Sequence, residues 1–138
     1  MPPVVVFDTN ILFSAIGWRG RPYECLERAR SGRVTGITCQ ELLDELTDKL
    51  HDKLAFTDEQ LAETLADLLG FLSLVAIPNT LHGISADPDD DKVLECAFVG
   101  GATHIVSGDR RHVLPLGSYQ GIAIMSAADF LSNVAPVS

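Results

Sequence analysis

Residues 4–10, Val-Val-Val-Phe-Asp-Thr-Asn, constrain the fold more than any other stretch of the chain. A strand with one wet face alternates apolar and polar residues. Val4, Val5, Val6 and Phe7 run without a polar break, which fits a strand buried on both faces, as in a parallel sheet covered by helices. The run stops at an acid. Asp8 therefore stands at the carboxyl edge of the sheet, where open α/β folds hold their ligands.

The rest of the chain supplies elements to match. Ile11 to Ile16 reads as a buried helix stopped at Gly17. Pro22 suits the first turn of a helix reaching about Arg30, and Val34 to Ile37 reads as a short strand. Thr38 with Glu41, and Thr57 with Gln60, have capping-box spacing. They open helices over Gln40–Leu50 and from Thr57 to about Leu72, with His51-Asp52-Lys53 as a polar link between them. Leu74 to Ile77 is a strand ended by Pro78. Asp87-Pro88-Asp89-Asp90-Asp91 opens a helix closed by Gly100-Gly101. His104–Val106 and Ile122–Met125 are strands on either side of an irregular stretch around Val113–Pro115, and Ser126 caps a short last helix. Strands alternating with helices predict a mostly parallel sheet. At 138 residues the chain is expected to form one domain, residues 1–138 with a core over about 4–131.

Composition excludes several classes. No apolar run approaches the 18 or so residues of a membrane span, and the start lacks a basic region with an apolar signal core, so a cytoplasmic protein is expected. Cys25, Cys39 and Cys96 are odd in number and widely spaced, which suits packing thiols in a reducing compartment. A net charge of −9 argues against broad nucleic-acid binding, which runs on phosphate neutralisation by Lys and Arg. It leaves room for a nucleic-acid enzyme whose acids serve a metal. No Gly-Lys-Ser or Gly-Lys-Thr follows a strand, so no phosphate loop is expected.

Helical geometry, at about 100° per residue, sorts the nineteen acids. In the helix after Thr38, Leu42, Leu43, Leu46 and Leu50 centre on one direction. Glu45 lies roughly 115° from it, Asp44 roughly 145°, Glu41 roughly 155° and Asp48 roughly 175°. Glu45 is thus the acid at the edge of the buried stripe. In the next acidic run, Val93, Leu94, Ala97 and Phe98 define the inward face. Asp90 falls within about 20° of its centre, whereas Asp89 and Asp91 fall roughly 90–110° to either side. A carboxylate in the middle of an apolar face needs a partner, or it serves the free N–H groups of the first helical turn. Asp109, separated from a strand only by Ser107-Gly108, either joins Asp8 at the sheet edge or shapes a turn. Four converging carboxylates repel one another and call for a cation. All-oxygen ligands select Mg²⁺ or Mn²⁺, and phosphoryl transfer is the chemistry such a site performs.

Val6-Phe7-Asp8-Thr9-Asn10-Ile11-Leu12, Leu42-Leu43-Asp44-Glu45-Leu46, Asp87-Pro88-Asp89-Asp90-Asp91-Lys92-Val93-Leu94 and Ile105-Val106-Ser107-Gly108-Asp109 together resemble the four motifs of the PIN domain family, in order and spacing, from about Val4 to Met125. The subgroup most resembled is that of VapC-like toxins, the toxin components of toxin–antitoxin pairs. The resemblance implies a three-layer α/β/α sandwich with a central, mostly parallel sheet of four to five strands, and a Mg²⁺- or Mn²⁺-dependent ribonuclease. It implies a metal held by Asp8, Glu45, Asp90 and Asp109, supported by Asn10 and Ser107, the latter standing where Thr is more usual. It also implies an RNA substrate, a cognate antitoxin and a homodimer. Two registers stay open: Glu41 in place of Glu45, and Asp91 in place of Asp90.

Other residues have weaker claims. Arg19, Arg21 and Arg110 are candidates for phosphate contacts, and Trp18 beside Arg19 and Arg21 either stacks a base or packs against the fold. His51, His82, His104 and His112 show no ligand spacing, though His112 lies close to Asp109. Two alternatives to the ribonuclease stand. One is a catalytically silent module of the same fold that acts through a protein partner. The other is a phosphatase forming a phospho-aspartate on Asp8, weakened because Asn10, not an acid, follows two positions on.

Overall fold

The computed structural model of the protein describes residues 2–84, 88–111 and 113–136. Asp87 and His112, both singled out above, lie outside the described residues, as does the side chain of Asp89. The elements run β1 (Val4–Phe7), α1 (Thr9–Gly17), α2 (Arg21–Arg30), β2 (Thr35–Thr38), α3 (Gln40–Leu54), α4 (Asp58–Leu69), β3 (Leu72–Leu74), α5 (Pro88–Val99), β4 (His104–Val106), a 3₁₀ turn (Leu114–Leu116), β5 (Ser118–Tyr119), β6 (Ile122–Met125) and α6 (Ala127–Asp129), which continues into a π turn at Phe130–Val134.

Among the described residues, six strands form one sheet in the order β3-β2-β1-β4-β6-β5. All neighbours are parallel except β5, which pairs antiparallel with β6. The apolar run at the start is the centre of this sheet, and its alternate residues feed two cores. Val5 and Phe7 join Ile11, Leu12, Leu43, Leu46, Leu50 and Phe130 on one face. Val6 joins Ile37, Leu42, Val93, Leu94 and Ala97 on the other. The α/β/α sandwich is therefore present, with one more strand than the sequence implied. The two residues of β5 were missed because a strand so short carries no period.

Helix α3 contributes to both cores, Leu43, Leu46 and Leu50 to one and Leu42 to the other. It also contacts both α1 and α5. It thus bridges the two helical layers, and an acid on the flank of its leucine stripe lies between them.

Several boundaries differ from expectation. Thr38 is the last residue of β2, not a cap: its hydroxyl is buried without a hydrogen-bond partner among the described residues, and Cys39 takes the N-cap position. Helix α3 continues through His51-Asp52-Lys53 to Leu54, where Ala55 turns left-handed at φ 54°. Polar residues on an amphipathic helix do not stop it. Helix α4 begins as expected at the Thr57–Gln60 capping box, both bonds of which are made. It ends at Leu69, and Leu72 pairs with Gly36 as the first residue of β3. The apolar residues beyond Leu74 do not extend that strand: the Val75 N–H still bonds back to the Thr38 carbonyl, and Ile77 turns into the next loop. Ser126 caps α6 by accepting from the N–H of Asp129, as expected.

On α5, Phe98 is 58% exposed and packs edge-on against Tyr119, although helical rotation placed it inward. Asp91, rotated away from the apolar face, is 3% exposed. The backbone N–H of Gly83 donates to its carboxylate at 3.0 Å. One turn on, Glu95 is also buried and accepts from the N–H groups of Thr80 and Leu81. The loop after β3 lies over this flank of α5, which no rotation angle could reveal. All three cysteines are free and buried, with the thiols of Cys39 and Cys96 hydrogen-bonded to each other.

Candidate active site at the switch point of the sheet

The strand order reverses between β1 and β4: the chain leaves β1 toward β2 and β3 on one side and continues with β4 and β6 on the other. Such a reversal opens a crevice beyond the carboxyl ends of the two strands. Asp8 ends β1 and the Ser107-Gly108-Asp109 turn ends β4, so both border that crevice. The register is tight, with Phe7 opposite Val106 and the Asp8 N–H donating to the Val106 carbonyl at 2.9 Å.

Asp8 is 5% exposed. The Ser107 hydroxyl, itself fully buried, donates to Asp8 Oδ2 at 2.7 Å. It also accepts from the N–H of Asp109 at 3.0 Å. One hydroxyl thus ties the ends of the two central strands together. Burial pushes the Asp8 carboxyl above the usual carboxylate range. The Ser107 hydroxyl, the N–H groups of Thr9 and Asn10 at the start of α1, and the ammonium of Lys49 pull the other way. A carboxylate kept out of water by its own fold is one that gains from a cation.

Asp109 is half-buried and accepts at Oδ1 from the N–H of Arg111 at 2.9 Å. It shapes the turn after β4 through that bond, and its own N–H ties it to the Ser107 hydroxyl that holds Asp8. Glu45 is 30% exposed and faces Lys49 at 3.5 Å, whereas Asp44 and Asp48 are less buried. Glu41 accepts from Asn79 Nδ2 at 2.6 Å, which holds its carboxyl below the usual range. That bond commits Glu41 to the loop after β3. Asp90 is 9% exposed in the first turn of α5, beside the loop-bound Asp91.

Among the described residues, no three His, Cys, Asp or Glu side chains come together in a geometry that could hold a metal ion. The donor chemistry around Asp8 nevertheless fits a hard divalent cation. It is all oxygen, it includes a buried carboxylate, and a positive group, Lys49, already stands there. Lys49 donates to Asn10 Oδ1 at 2.7 Å and faces Glu45, one helical turn back. Sequence reasoning missed it. The signal was the Glu45–Lys49 spacing of four residues, which is so common on helix surfaces that it singles nothing out.

Beside Ser107 lies a pocket of about 270 Å³ lined by Arg21, Pro22, Ser107, Gly108, Arg110 and Ser126, among others. Two of the three candidate arginines therefore share one concavity next to the Asp8–Ser107 pair. Arg19 does not line it. Its guanidinium lies over the Tyr23 ring at 4.8 Å and donates to the Tyr23 hydroxyl. Trp18 is 57% exposed, resting against Phe13.

Comparisons with known proteins bear on the family and the fold. A family model described as PIN domain matches residues 4–111. No curated protein matches the chain in sequence. Its fold is similar to that of a chain in the crystal structure of VapBC2 from Rickettsia felis bound to a DNA fragment from their promoter. The TM-score is 0.60 at 15% identity, over 89% of this chain and 98% of that one.

Proposed function

The chain belongs to the PIN domain family, and from that premise we propose that it is a metal-dependent endoribonuclease acting as the toxin of a toxin–antitoxin pair. The observation that carries the reading is the buried Asp8 carboxylate at the switch point, bonded by Ser107 and drawn toward a cation.

In this reading Asp8 and Asp90 are the most direct ligands of Mg²⁺ or Mn²⁺, and Glu45 and Asp109 complete the set. The bound ion supplies positive charge against the phosphodiester and makes a water acidic enough to attack. Ser107 fixes the orientation of the Asp8 carboxylate, as a hydroxyl donor does for a metal ligand. Asn10 supports the same region. Arg21 and Arg110 hold a phosphate of the RNA in the pocket beside Ser107, as guanidinium forks do, and Arg19 with exposed Trp18 extends the contact. Local grip of this kind suits a chain whose overall charge repels nucleic acid.

The partners are an antitoxin and a second copy of the chain. The VapBC2 likeness supports the antitoxin. A cytoplasmic setting goes with it; no helix among the described residues is long and apolar enough to cross a membrane. The test is cleavage of RNA with Mg²⁺ or Mn²⁺ by the intact chain, and its loss in Asp8→Asn and Asp90→Asn. Full activity in either variant, or in EDTA, refutes the assignment.

A second reading is a silent module of the same fold that works through its protein partner. Metal linkage separates the two. A catalytic site gains thermal stability from Mn²⁺, and a silent one does not.

A further inference from the structure

Lys49 is the unexpected member of the site. It lies on the third turn of α3, with its side chain 28% exposed. Its ammonium reaches across to α1, donating to Asn10 Oδ1 at 2.7 Å, and faces Glu45 at 3.5 Å. Its charge is also felt at buried Asp8. An ordinary surface pair on a helix would involve only Glu45. Here one cation stands among three residues, all of them expected around the metal.

We propose that Lys49 is the site's built-in counter-ion: it neutralises the acids when no metal is bound, and a divalent cation must displace it from Glu45 and Asn10 to bind. The inference rests on the metal-site reading above. Its physical basis is competition. An ammonium and a divalent ion seek the same carboxylate and amide oxygens, and both cannot use them at once. Two cations a few ångströms apart also repel. Lys49 is a positioning residue in this account, because it acts on the acids rather than on the reacting atoms.

The fold supports this use of Lys49. Helix α3 bridges the two helical layers, and its third turn is held by Leu46 and Leu50, each fully buried. The ammonium is therefore aimed by a rigid element, and only its flexible stem has to move. Lys53 carries the same charge one turn further along the same face of α3 and provides a matched control.

The experiment is a Mn²⁺ titration of the full chain, read by melting temperature and by calorimetry, for the wild type, Lys49→Met, Lys49→Arg and Lys53→Met. Lys49→Met is expected to bind Mn²⁺ about tenfold more tightly than the wild type, as loss of a neighbouring charge implies. Lys49→Arg, which keeps the charge, should stay within about threefold of the wild type by the same comparison. Lys53→Met should change affinity much less than Lys49→Met. Equal Mn²⁺ affinity in Lys49→Met and the wild type, or equal tightening in Lys49→Met and Lys53→Met, overturns the inference and leaves the metal site standing. Absence of Mn²⁺ binding in all four proteins overturns both. If Lys49→Met fails to fold, a Lys49→Gln variant gives the same comparison, and a wild-type affinity in it carries the same refutation.

Discussion

Replacing Asp8 by Asn should make the metal-free protein more stable while removing the gain from metal. Asp8 is 5% exposed, and its charged form is disfavoured by that burial. Desolvating a carboxylate costs several kcal/mol. The Ser107 bond at 2.7 Å returns about 1.5–3 kcal/mol, and the Thr9 and Asn10 N–H groups with Lys49 return part of the rest. What remains, given that the carboxyl is shifted upward, is a net penalty on the charged form at neutral pH. Asn keeps an acceptor for Ser107 and carries no charge, so Asp8→Asn should recover that penalty. In a domain of this size each kcal/mol recovered raises the melting temperature by roughly 3–4 °C.

The sign with pH follows from the direction of the shift. The folded carboxyl titrates above 3.8, its ordinary value. Below that value both folded and unfolded chains are protonated and the penalty vanishes. It grows as pH rises from there through the folded value, and then stays constant. Metal reverses the balance. A hundredfold excess of Mn²⁺ over its dissociation constant adds about 2.7 kcal/mol, or roughly 10 °C, to the wild type and nothing to the variant. The assay is thermal unfolding by circular dichroism, in EDTA and in Mn²⁺, from about pH 4 up to neutral pH, because the penalty develops above the ordinary carboxylate value. The reasoning fails if Asp8→Asn is the less stable protein in EDTA at neutral pH. It fails equally if the difference does not shrink toward the acid end, or if both proteins gain alike from Mn²⁺.

Three further outcomes are expected. Thr57→Ala removes the capping box of α4 and should cost about 1 kcal/mol in urea unfolding. Gly36→Ala places a methyl against the Leu72 side chain and 3.2 Å from the Ala29 Cβ; overpacking there should cost roughly 1–3 kcal/mol by the same measurement. Arg21→Ala and Arg110→Ala, alone and combined, should weaken RNA binding with little change in turnover at saturation. Each should also lower the salt dependence of binding by roughly 0.7 in log–log slope, the single-strand value, and unchanged slopes would remove the shared pocket from the RNA path.

The parts legible in the sequence were those that a local pattern determines. The Val4–Phe7 run marked the central strand because burial on both faces leaves no other arrangement for it. Thr57 and Gln60 marked a helix start because their two bonds are made within four residues. Glu45 was separated from Asp44 and Asp48 by rotation alone, since α3 is regular over the whole stretch. The failures share a cause. Asp91 is buried by a loop eight residues upstream, Phe98 is left half-open with its ring against Tyr119, 21 positions on, and Lys49 matters through Asn10, 39 positions away. Each depends on what another segment does, and helical rotation describes one segment. The Thr38 cap failed for a related reason. Its spacing to Glu41 was right, but strand pairing with β3 extends β2 through Thr38.

The two ends of the sheet are β3, with three residues, and β5, with two. An open sheet exposes unpaired backbone groups along its outer strands, and long outer strands invite another chain to add itself. These offer a newcomer almost no ladder to extend. The short margins protect the protein from edge-to-edge association. They also mean that a peptide partner would gain little by lying down as an extra strand. Recognition of this molecule by other chains is left to side chains and grooves, where charge and shape rather than main-chain pairing decide who binds.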